Sequence, residues 1–536
     1  MKTPSSKKSR FLFLALAVAL LLPTAWARVE FALHDFAVSE FRDFSDVQQE
    51  CSAPAASSFW CDEAGTTLTR IPTKGADYFF NEAGELLAVY AKQQKGQNLG
   101  SYSIDSGQNL IPDDARFPGG ALLADGEYLE VEDAQASWQR VDDTEFEGRF
   151  TYRAGDLQVE RVVRVSNITH TLKVAVRAER LEQSDDSQML QFAFDGIARQ
   201  DEPTIKIGQS TTFTANPVSQ SVPDVSYASL QTNNRNSGYA VVMRPAGTGE
   251  RSLLSLDEAT QSASNEAAVD LAAQALPGGV VAMQRPLPGE PGSEAQLALD
   301  VYTGPNELVR YTQEGYADLP GLFNANILGR MSLGIIWVLR YIHEYVGSWG
   351  LSIIVLTLLF RVLIWPLIAT QTKSMFGMQQ LQPKIQALQK KYKDDKEKLT
   401  QETMKLYREA GVNPAGGCLP ILLQMPLFII LWRVFVNFEF NEGFVWIPDL
   451  GQADPFYILP ALYVGVMVAQ SYFATRGNQS QFRQQLFINV VFVFIMVGFP
   501  AGVILYFVVS MLVQVIQYWL LSRNRPAAVP VKKSKG

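Results

Sequence analysis

The chain has few of the side chains from which metal sites and covalent active sites are built. Its 536 residues include three cysteines and three histidines, and His34, His170 and His343 are far apart in the sequence. No group of Cys, His, Asp or Glu has the spacing of metal ligands. The motifs GxxxxGK[ST], GxSxG and HExxH do not occur. We therefore expect no metal and no cofactor, and we expect that the protein is not an enzyme.

Net charge divides the chain into two unlike parts. The whole chain carries −8, but residues 28–330 carry −21 and residues 331–536 carry +9. An acidic surface repels nucleic acid and anionic lipid, so we expect no binding of DNA. The mean hydropathy of +0.01 is an average over an acidic polar part and a basic apolar part.

Residues 1–27 have the pattern of an export signal. Basic residues precede the apolar run 11–22, which is followed by the small-x-small sequence Ala25-Trp26-Ala27. As a helix the run is about 18 Å long, which is short for a bilayer. We favour a cleaved signal peptide, and a retained anchor helix is the alternative. Because both deliver the next domain to an oxidising compartment, Cys51 and Cys61 either form a disulfide there or remain free thiols.

Residues 28–325 are predicted to form an extracytoplasmic all-β domain. Stretches such as 157–159, 173–177 and 297–301 alternate polar and apolar side chains between turn residues, which is typical of an antiparallel sandwich. Residues 203–290 lack this alternation and favour long loops and edge strands. We find no group of residues that identifies a carbohydrate site, so a scaffold or docking role is the preferred interpretation.

A charged residue interrupts the first long apolar run of the second half. Residues 349–370 are long enough to cross a bilayer as a helix, and Arg361 lies about 18 Å from the Trp349 end. A guanidinium at that depth costs roughly 3 kcal/mol, so it is a functional candidate. Since the later apolar segments carry no Asp or Glu, we favour a hydrated cavity around Arg361. An arginine that only holds helices together is the alternative.

The loops between the apolar segments obey the positive-inside rule. Nine basic residues between 371 and 411 place that segment in the cytoplasm, whereas the acidic loop after 438 faces outward. We expect an α-helical membrane bundle of five mature transmembrane helices, with the C terminus inside. The predicted segments are an interfacial amphipathic helix at 331–346, spans at 349–370, 417–438, 456–473, 486–499 and 503–521, a cytoplasmic helical hairpin at 371–411, and a basic tail at 522–536.

Polar side chains repeat along one face of several predicted spans. Such stripes often only hold helices together, and this explanation suffices for Gln517 and Asn489. It does not explain an unpaired arginine, so we interpret the stripes as the walls of one hydrophilic groove. The groove residues are predicted to be Arg361, Thr357, Gln424, Tyr506, Ser510 and Gln514.

Five motifs of the second half resemble the YidC-type family of membrane protein insertases. They are TLLFRVLIWPL at 357–367, LQPKIQALQKKY at 381–392, VNPAGGCLPILLQMP at 412–426, DLGQADPFYILP at 449–460 and FPAGVILYFVVS at 499–510. The resemblance covers about 302–525, and the N-terminal third matches only in position and size. The chain departs from the family at Phe507 and Met511, where relatives often have Tyr and Asn, and in its removable signal.

The resemblance implies a protein that inserts and folds nascent membrane proteins in the bacterial inner membrane, alone or beside the Sec translocon. It implies no cofactor, and an outer domain of the supersandwich type. The hairpin 371–411 and the tail 522–536 would meet the ribosome or targeting factors, while topology and attraction to the lipid bilayer equally explain the tail. The alternative function is a secondary transporter of an anionic solute, but five spans without an internal repeat argue against it.

Overall fold

Contacts within the chain divide it into two units, residues 33–326 and residues 1–32 together with 327–536. Each unit is described below by itself. The computed structural model describes residues 48–49, 68–73, 76–91, 110–111, 115–142, 144–184, 186–197, 203–217, 221–232, 238–246, 271–323, 326–393, 395–410, 419–438, 440, 443–474, 482–483, 486–487 and 496–523. The predictions for residues 1–27, Cys51, Cys61 and most of the tail therefore lie outside the described residues.

The first unit is built from β-strands. One short helix, α1 (Leu308–Gln313), follows them. The strands are β1 Gln48–Gln49, β2 Leu68–Pro72, β3 Ala76–Phe80, β4 Leu86–Ala91, β5 Ala121–Ala124, β6 Glu127–Tyr128, β7 Val131–Arg140, β8 Glu145–Ala154, β9 Leu157–Ser166, β10 Thr171–Arg180, β11 Gln188–Asp195, β12 Thr204–Gly208, β13 Phe213–Ala215, β14 Ser221–Val222, β15 Tyr227–Gln231, β16 Tyr239–Pro245, β17 Ala272–Leu276, β18 Val280–Leu287 and β19 Glu294–Pro305.

The described strands form three antiparallel sheets. Their orders are β1-β2-β3-β4, β13-β12-β15-β16-β19-β10-β9-β8-β7 and β14-β17-β18-β11-β5-β6. One core takes side chains from all three, for example Tyr78, Phe150 and Phe192, each at most 3% exposed. Sheets that share a buried core in this way confirm the predicted β-rich domain.

Alternation of polar and apolar residues predicted where strands lie in the sequence, but not whether a strand is at the edge or in the interior of its sheet. The three alternating stretches lie in β9, β10 and β19, and β10 pairs with both of the others. The prediction for 203–290 was wrong in part, because β15, β16 and β18 are interior strands. All five residues of Tyr227–Gln231 are buried, and a strand covered on both faces has no polar-apolar alternation to detect. Of the described strands within 203–290, β13 and β14 lie at sheet edges as expected.

Three buried carboxylates in this unit have arginine partners. Glu147 is 1% exposed and accepts hydrogen bonds from Arg164 Nε at 2.6 Å and Arg149 Nε at 2.8 Å. Burial raises the pKa of Glu147, but the two guanidinium groups outweigh burial and hold this pKa below its usual value. Asp77 and Asp300 pair in the same way, with Arg70 and Arg244.

The second unit consists of helices. They are α2 Ile327–Val346, α3 Trp349–Leu363, α4 Trp365–Lys391, α5 Lys396–Glu409, α6 Leu419–Asn437, α7 Ile458–Ala474 and α8 Ala501–Arg523. By length and composition, one described helix is able to span a membrane, at Ala501–Leu521. The pair α2 and α3 is apolar enough when taken together, but it bends by 120°, and Met425–Asn437 and Ile458–Tyr472 are shorter apolar helices.

The first predicted span is divided between two helices. Helix α3 ends at Leu363 and α4 begins at Trp365, so the run 349–370 is not one straight helix. The cause is Pro366 in the first turn of α4, because proline lacks the N–H that a continuous helix needs. Helix α4 then continues to Lys391, well into the segment predicted as a hairpin.

The predicted hairpin segment contains two helices that pack on each other. Leu381 and Ile385 of α4 are buried against Leu406 and Tyr407, near the end of α5. Asp395 caps α5 by accepting a hydrogen bond from the Lys398 N–H at 2.9 Å. Of the fourth predicted span, 486–499, only residues 486–487 and 496–499 are described.

Candidate functional site

Two helices of the second unit hold most of the predicted groove residues. Near the start of α8, a Cβ at Gly502 would lie 3.3 Å from Ile353 Cδ1 of α3. Near the other end of α8, Gln517 Nε2 donates to the Trp365 carbonyl oxygen at 3.3 Å, just beyond α3. The helices α3 and α8 therefore lie side by side and run in the same direction. The bond also supports the structural role predicted for Gln517.

The groove candidates lie between those two contacts. Thr357 lies in the middle of α3 and Arg361 near its end, both on one face of the helix. Tyr506 and Ser510 lie one turn apart on α8. All four are buried, with exposures of 1, 7, 4 and 1% in that order. Gln514, one turn further along α8, is half-buried. The structure thus brings four of the six predicted residues into the interior between α3 and α8.

Arg361 is a buried cation without a carboxylate partner in the described part of the chain. No described residue forms a hydrogen bond or an ion pair with its guanidinium. The Tyr506 phenol is the ionisable group that acts on Arg361 electrostatically. This neighbour fits the geometry of α3, because helix side chains lean toward the N terminus and so toward the level of Tyr506.

The other predicted groove residues differ in what their side chains do. Thr357 Oγ1 donates to the Ile353 carbonyl oxygen of its own helix at 2.6 Å. Ser510 Oγ is buried and has no hydrogen-bond partner among the described residues. The side chain of Gln424 lies outside the described residues, as does Asn489. Among the described residues, no group of three His, Cys, Asp or Glu side chains is placed to hold a metal.

Phe507, where the chain departs from the family pattern, packs among aromatic rings of other helices. Its ring centroid lies 5.7 Å from Phe428 of α6 and 6.2 Å from Tyr463 of α7. The neighbouring Tyr506 therefore supplies the polar aromatic group next to Arg361, while Phe507 joins α8 to α6 and α7. Such ring pairs stabilise a helix interface beyond the area that they bury.

Sequence reasoning missed the role of Asp454, which holds the start of α7. Asp454 is 1% exposed and accepts hydrogen bonds from the N–H groups of Phe456 and Leu459 and from Trp446 Nε1, at 3.0, 2.7 and 3.2 Å. In the sequence alone, its charge indicates only a loop on the outer side. The signal was available, since an acid shortly before an apolar helix is typical of a helix start.

The same loop caps α8 itself. The Ala501 N–H donates to the Gln452 carbonyl oxygen at 2.6 Å, and the Gly502 N–H donates to the Leu450 carbonyl oxygen at 2.8 Å. These bonds satisfy two of the N–H groups that every helix start leaves without an internal partner. The loop therefore fixes the end of the helix that carries Tyr506 and Ser510.

A second arginine within a predicted span was also missed. Arg433 lies in α6, about one turn from the end of that helix, and is half-buried. Its carbonyl oxygen accepts a hydrogen bond from Asn437 Nδ2 at 2.9 Å. An arginine so close to a helix end can extend to the membrane surface, so it differs from Arg361 in depth.

Apolar helices, one of them long and apolar enough to span a membrane, indicate a membrane protein that also carries a large β-rich domain. The family model of the 60Kd inner membrane protein matches residues 341–528. The chain is 33% identical over 383 residues to the membrane protein insertase YidC of Deinococcus radiodurans, covering 70% of this chain and 82% of that protein. It therefore belongs to the YidC family, as the sequence motifs indicated.

Two further comparisons agree with this assignment. The YidC insertase of Pseudomonas aeruginosa is 36% identical over 241 residues, which cover 44% of this chain and 42% of that protein. A crystal structure of a YidC insertase with its first transmembrane domain resolved has a TM-score of 0.50 at 22% identity. That match covers 84% of this chain and 91% of the other, so the likeness of fold includes both units.

Proposed function

We propose that this protein inserts nascent membrane proteins into the bacterial inner membrane through a groove that contains Arg361. Membership of a family whose curated relatives are named membrane protein insertases supports the general activity. The observation that carries the groove is the burial of Arg361 to 7% exposure without a described carboxylate beside it. A buried cation that nothing compensates is costly, so a client group that compensates it is a physical reason to keep it.

The proposed client group is an acidic residue in the short tail ahead of a membrane segment. Within low-dielectric walls the field of Arg361 is several times stronger than in bulk water, so it attracts a carboxylate. The apolar segment of the client then moves along α6 and the predicted fourth span into lipid. Burial of that segment supplies the driving force, and the insertase lowers the barrier.

The proposal includes the topology inferred from charge. Five mature spans place the β-rich domain outside and the segment 371–411 inside, where it and the basic tail meet the ribosome and targeting factors. The Sec translocon is a further proposed partner. The fourth span, 486–499, is only about 21 Å long as a helix and should thin the bilayer locally, which reduces the distance that a polar tail must cross.

Depletion of the protein in cells, followed by complementation, tests the role of the charge. Newly made single-span reporters are mapped with external protease, one with an acidic tail and one with a neutral tail. We expect Arg361→Lys to restore insertion of the acidic reporter and Arg361→Ala to lose it. The reason is that the positive charge, and not the shape of the guanidinium, attracts the client carboxylate.

Arg433→Ala is the matched control for loss of an arginine from an apolar helix. This variant should change the insertion of both reporters equally or not at all. If Arg361→Lys and Arg361→Ala insert the acidic reporter equally well, the groove mechanism is wrong even though the family assignment stands.

A further inference from the structure

One buried hydroxyl of the helical unit differs from other buried hydroxyls there in its hydrogen bonding. Four buried hydroxyls donate to the carbonyl oxygen four residues earlier in their own helix, at 3.0 Å for Ser332, 2.7 Å for Ser352, 2.6 Å for Thr357 and 2.8 Å for Thr372. Ser510 is 1% exposed, and its Oγ has no partner among the described residues.

This difference is not forced by the position of Ser510 in its helix. Residue 510 lies in the middle of α8, where regular helix geometry offers the carbonyl of residue 506 as an acceptor for the same local bond. A buried hydroxyl without a partner is unfavourable, and yet the Ser510 side chain leaves its donor unused within the helix. Such a donor is able to bind a ligand that enters from outside.

Helix geometry places that donor on the face of α8 that carries Tyr506, the ionisable neighbour of the buried cation. Ser510 lies on the same face of α8 as Tyr506, one turn on, and Tyr506 acts electrostatically on Arg361. The contacts of Gly502 and Gln517 with the two ends of α3 bracket the same region. The interior between α3 and α8 therefore holds a cation and an unused hydroxyl donor, with no described carboxylate.

We propose that Ser510 determines specificity by donating a second hydrogen bond to the client carboxylate that Arg361 attracts. This inference rests on the proposed function and names the ligand of that groove, an aspartate or glutamate side chain. The cation alone attracts any anion from a distance, whereas a hydroxyl acts only in contact. Since a hydrogen bond to an ionised acceptor is about twice as strong as a neutral one, Ser510 favours a carboxylate over an amide of the same shape.

Insertion into liposomes by purified full-length protein tests the inference. Two single-span reporters differ only in one tail residue, Asp or Asn, and the measured quantity is the ratio of their insertion rates. We expect Ser510→Ala to lower this ratio by about tenfold, since only the Asp reporter loses a charge-assisted bond. Ser352→Ala, which removes a hydroxyl bonded within its own helix, should keep the ratio of the unmutated protein.

Two further variants make each outcome decisive. Ser510→Cys has nearly the same size but a weak donor, so it should lower the ratio as Ser510→Ala does, even where the alanine variant folds poorly. If either variant keeps the full ratio, or lowers both reporters equally, the role of Ser510 is wrong. If Arg361→Ala keeps the ratio of the unmutated protein, the proposed groove itself is wrong. If Arg361→Ala lowers the ratio but the two Ser510 variants do not, the groove stands and only the role of Ser510 is wrong.

Discussion

Three buried carboxylates of the β-rich unit and the buried arginine of the helical unit differ in their partners. In the β-rich unit the carboxylates of Asp77, Glu147 and Asp300 are at most 1% exposed, and each forms an ion pair with arginine. In the helical unit Arg361 is 7% exposed and has no carboxylate partner among the described residues. Arg161 of the β-rich unit is also buried, to 1% exposure, without an ion pair among the described residues, but its guanidinium lies over the rings of Tyr152 and Phe192. The carboxylate of Glu85 also acts on Arg161 electrostatically. Arg361 has no such carboxylate among the described residues, so we propose that its partner arrives with the client.

The units differ just as clearly in their apolar surfaces. Among the described residues of the β-rich unit, three large apolar side chains are exposed, namely Val141, Leu181 and Phe213 at 41–45%. In the helical unit many more are exposed, including Val362 at 70% and Leu363 at 75%. One physical rule explains both surfaces if the solvent is water for the first unit and lipid for the second.

The largest expected effect comes from giving Arg361 a partner of the kind found in the β-rich unit. Thr357→Glu places a carboxylate four residues before Arg361 on α3, the favoured order for an ion pair in a helix. We expect insertion of an acid-tailed reporter to fall by at least about tenfold, because the internal carboxylate competes with the client. Protease mapping in depleted cells measures the loss.

Thr357→Gln is the control for this variant, since it has the same shape without the charge. The glutamine variant should insert the acid-tailed reporter far better than the glutamate variant. Equal activity of the two would show that the charge of Arg361 does not need to remain unpaired.

A smaller effect is expected from one charge placed on each apolar surface. Val362→Asp puts a carboxylate on the exposed side of α3, where lipid contact costs about 3 kcal/mol. Val141→Asp makes the same change beside β7, where a water-exposed substitution stays within about 0.5 kcal/mol. The yield of folded protein in the membrane and its resistance to protease should fall only for Val362→Asp. Equal behaviour of the two would place the exposed face of α3 in water.

The smallest effect concerns the paired charge of Glu147. Its pKa is lowered from the usual value of 4.5, since the two arginines outweigh burial. The folded state therefore binds this proton more weakly than the unfolded state, so the pair stabilises above about pH 4.5 and the gain is lost as the pH falls through the folded pKa. Glu147→Gln should cost about 2 kcal/mol at neutral pH, because a buried carboxylate loses charge-assisted hydrogen bonds.

Proteolysis of the full-length protein in detergent and urea, over a range of pH, measures the difference between Glu147→Gln and the unmutated protein. That difference should shrink below pH 4.5. A difference that stays constant into acid would mean that Glu147 acts through its shape rather than its charge.

Periodicity predicted elements of the fold better than their connections. Alternation identified β9, β10 and β19, because each of them has a polar and an apolar side in much of its length. It did not predict that β15 and β16 are interior strands, because their mostly buried residues carry no such pattern. Hydropathy found the apolar run 349–370 but not its division at Ile364, although Pro366 was visible as the local cause.

For the candidate site, the sequence predicted the residues better than their hydrogen bonds. Helical spacing placed Thr357 with Arg361 and Tyr506 with Ser510, and the structure brings these pairs between two adjacent helices. Spacing does not show that the Thr357 hydroxyl is bonded within its own helix while that of Ser510 is not, because side-chain orientation depends on packing. Gln424 remains a prediction.

The most direct test of the central claim is an exchange of charge between the groove and its client. Arg361→Glu is combined with reporters whose tails carry one Asp or one Lys, and all four combinations are measured in liposomes with purified protein. If the unpaired charge selects the client, the unmutated protein inserts the Asp reporter faster and Arg361→Glu inserts the Lys reporter faster. The same order of the two reporters for both proteins would contradict the account.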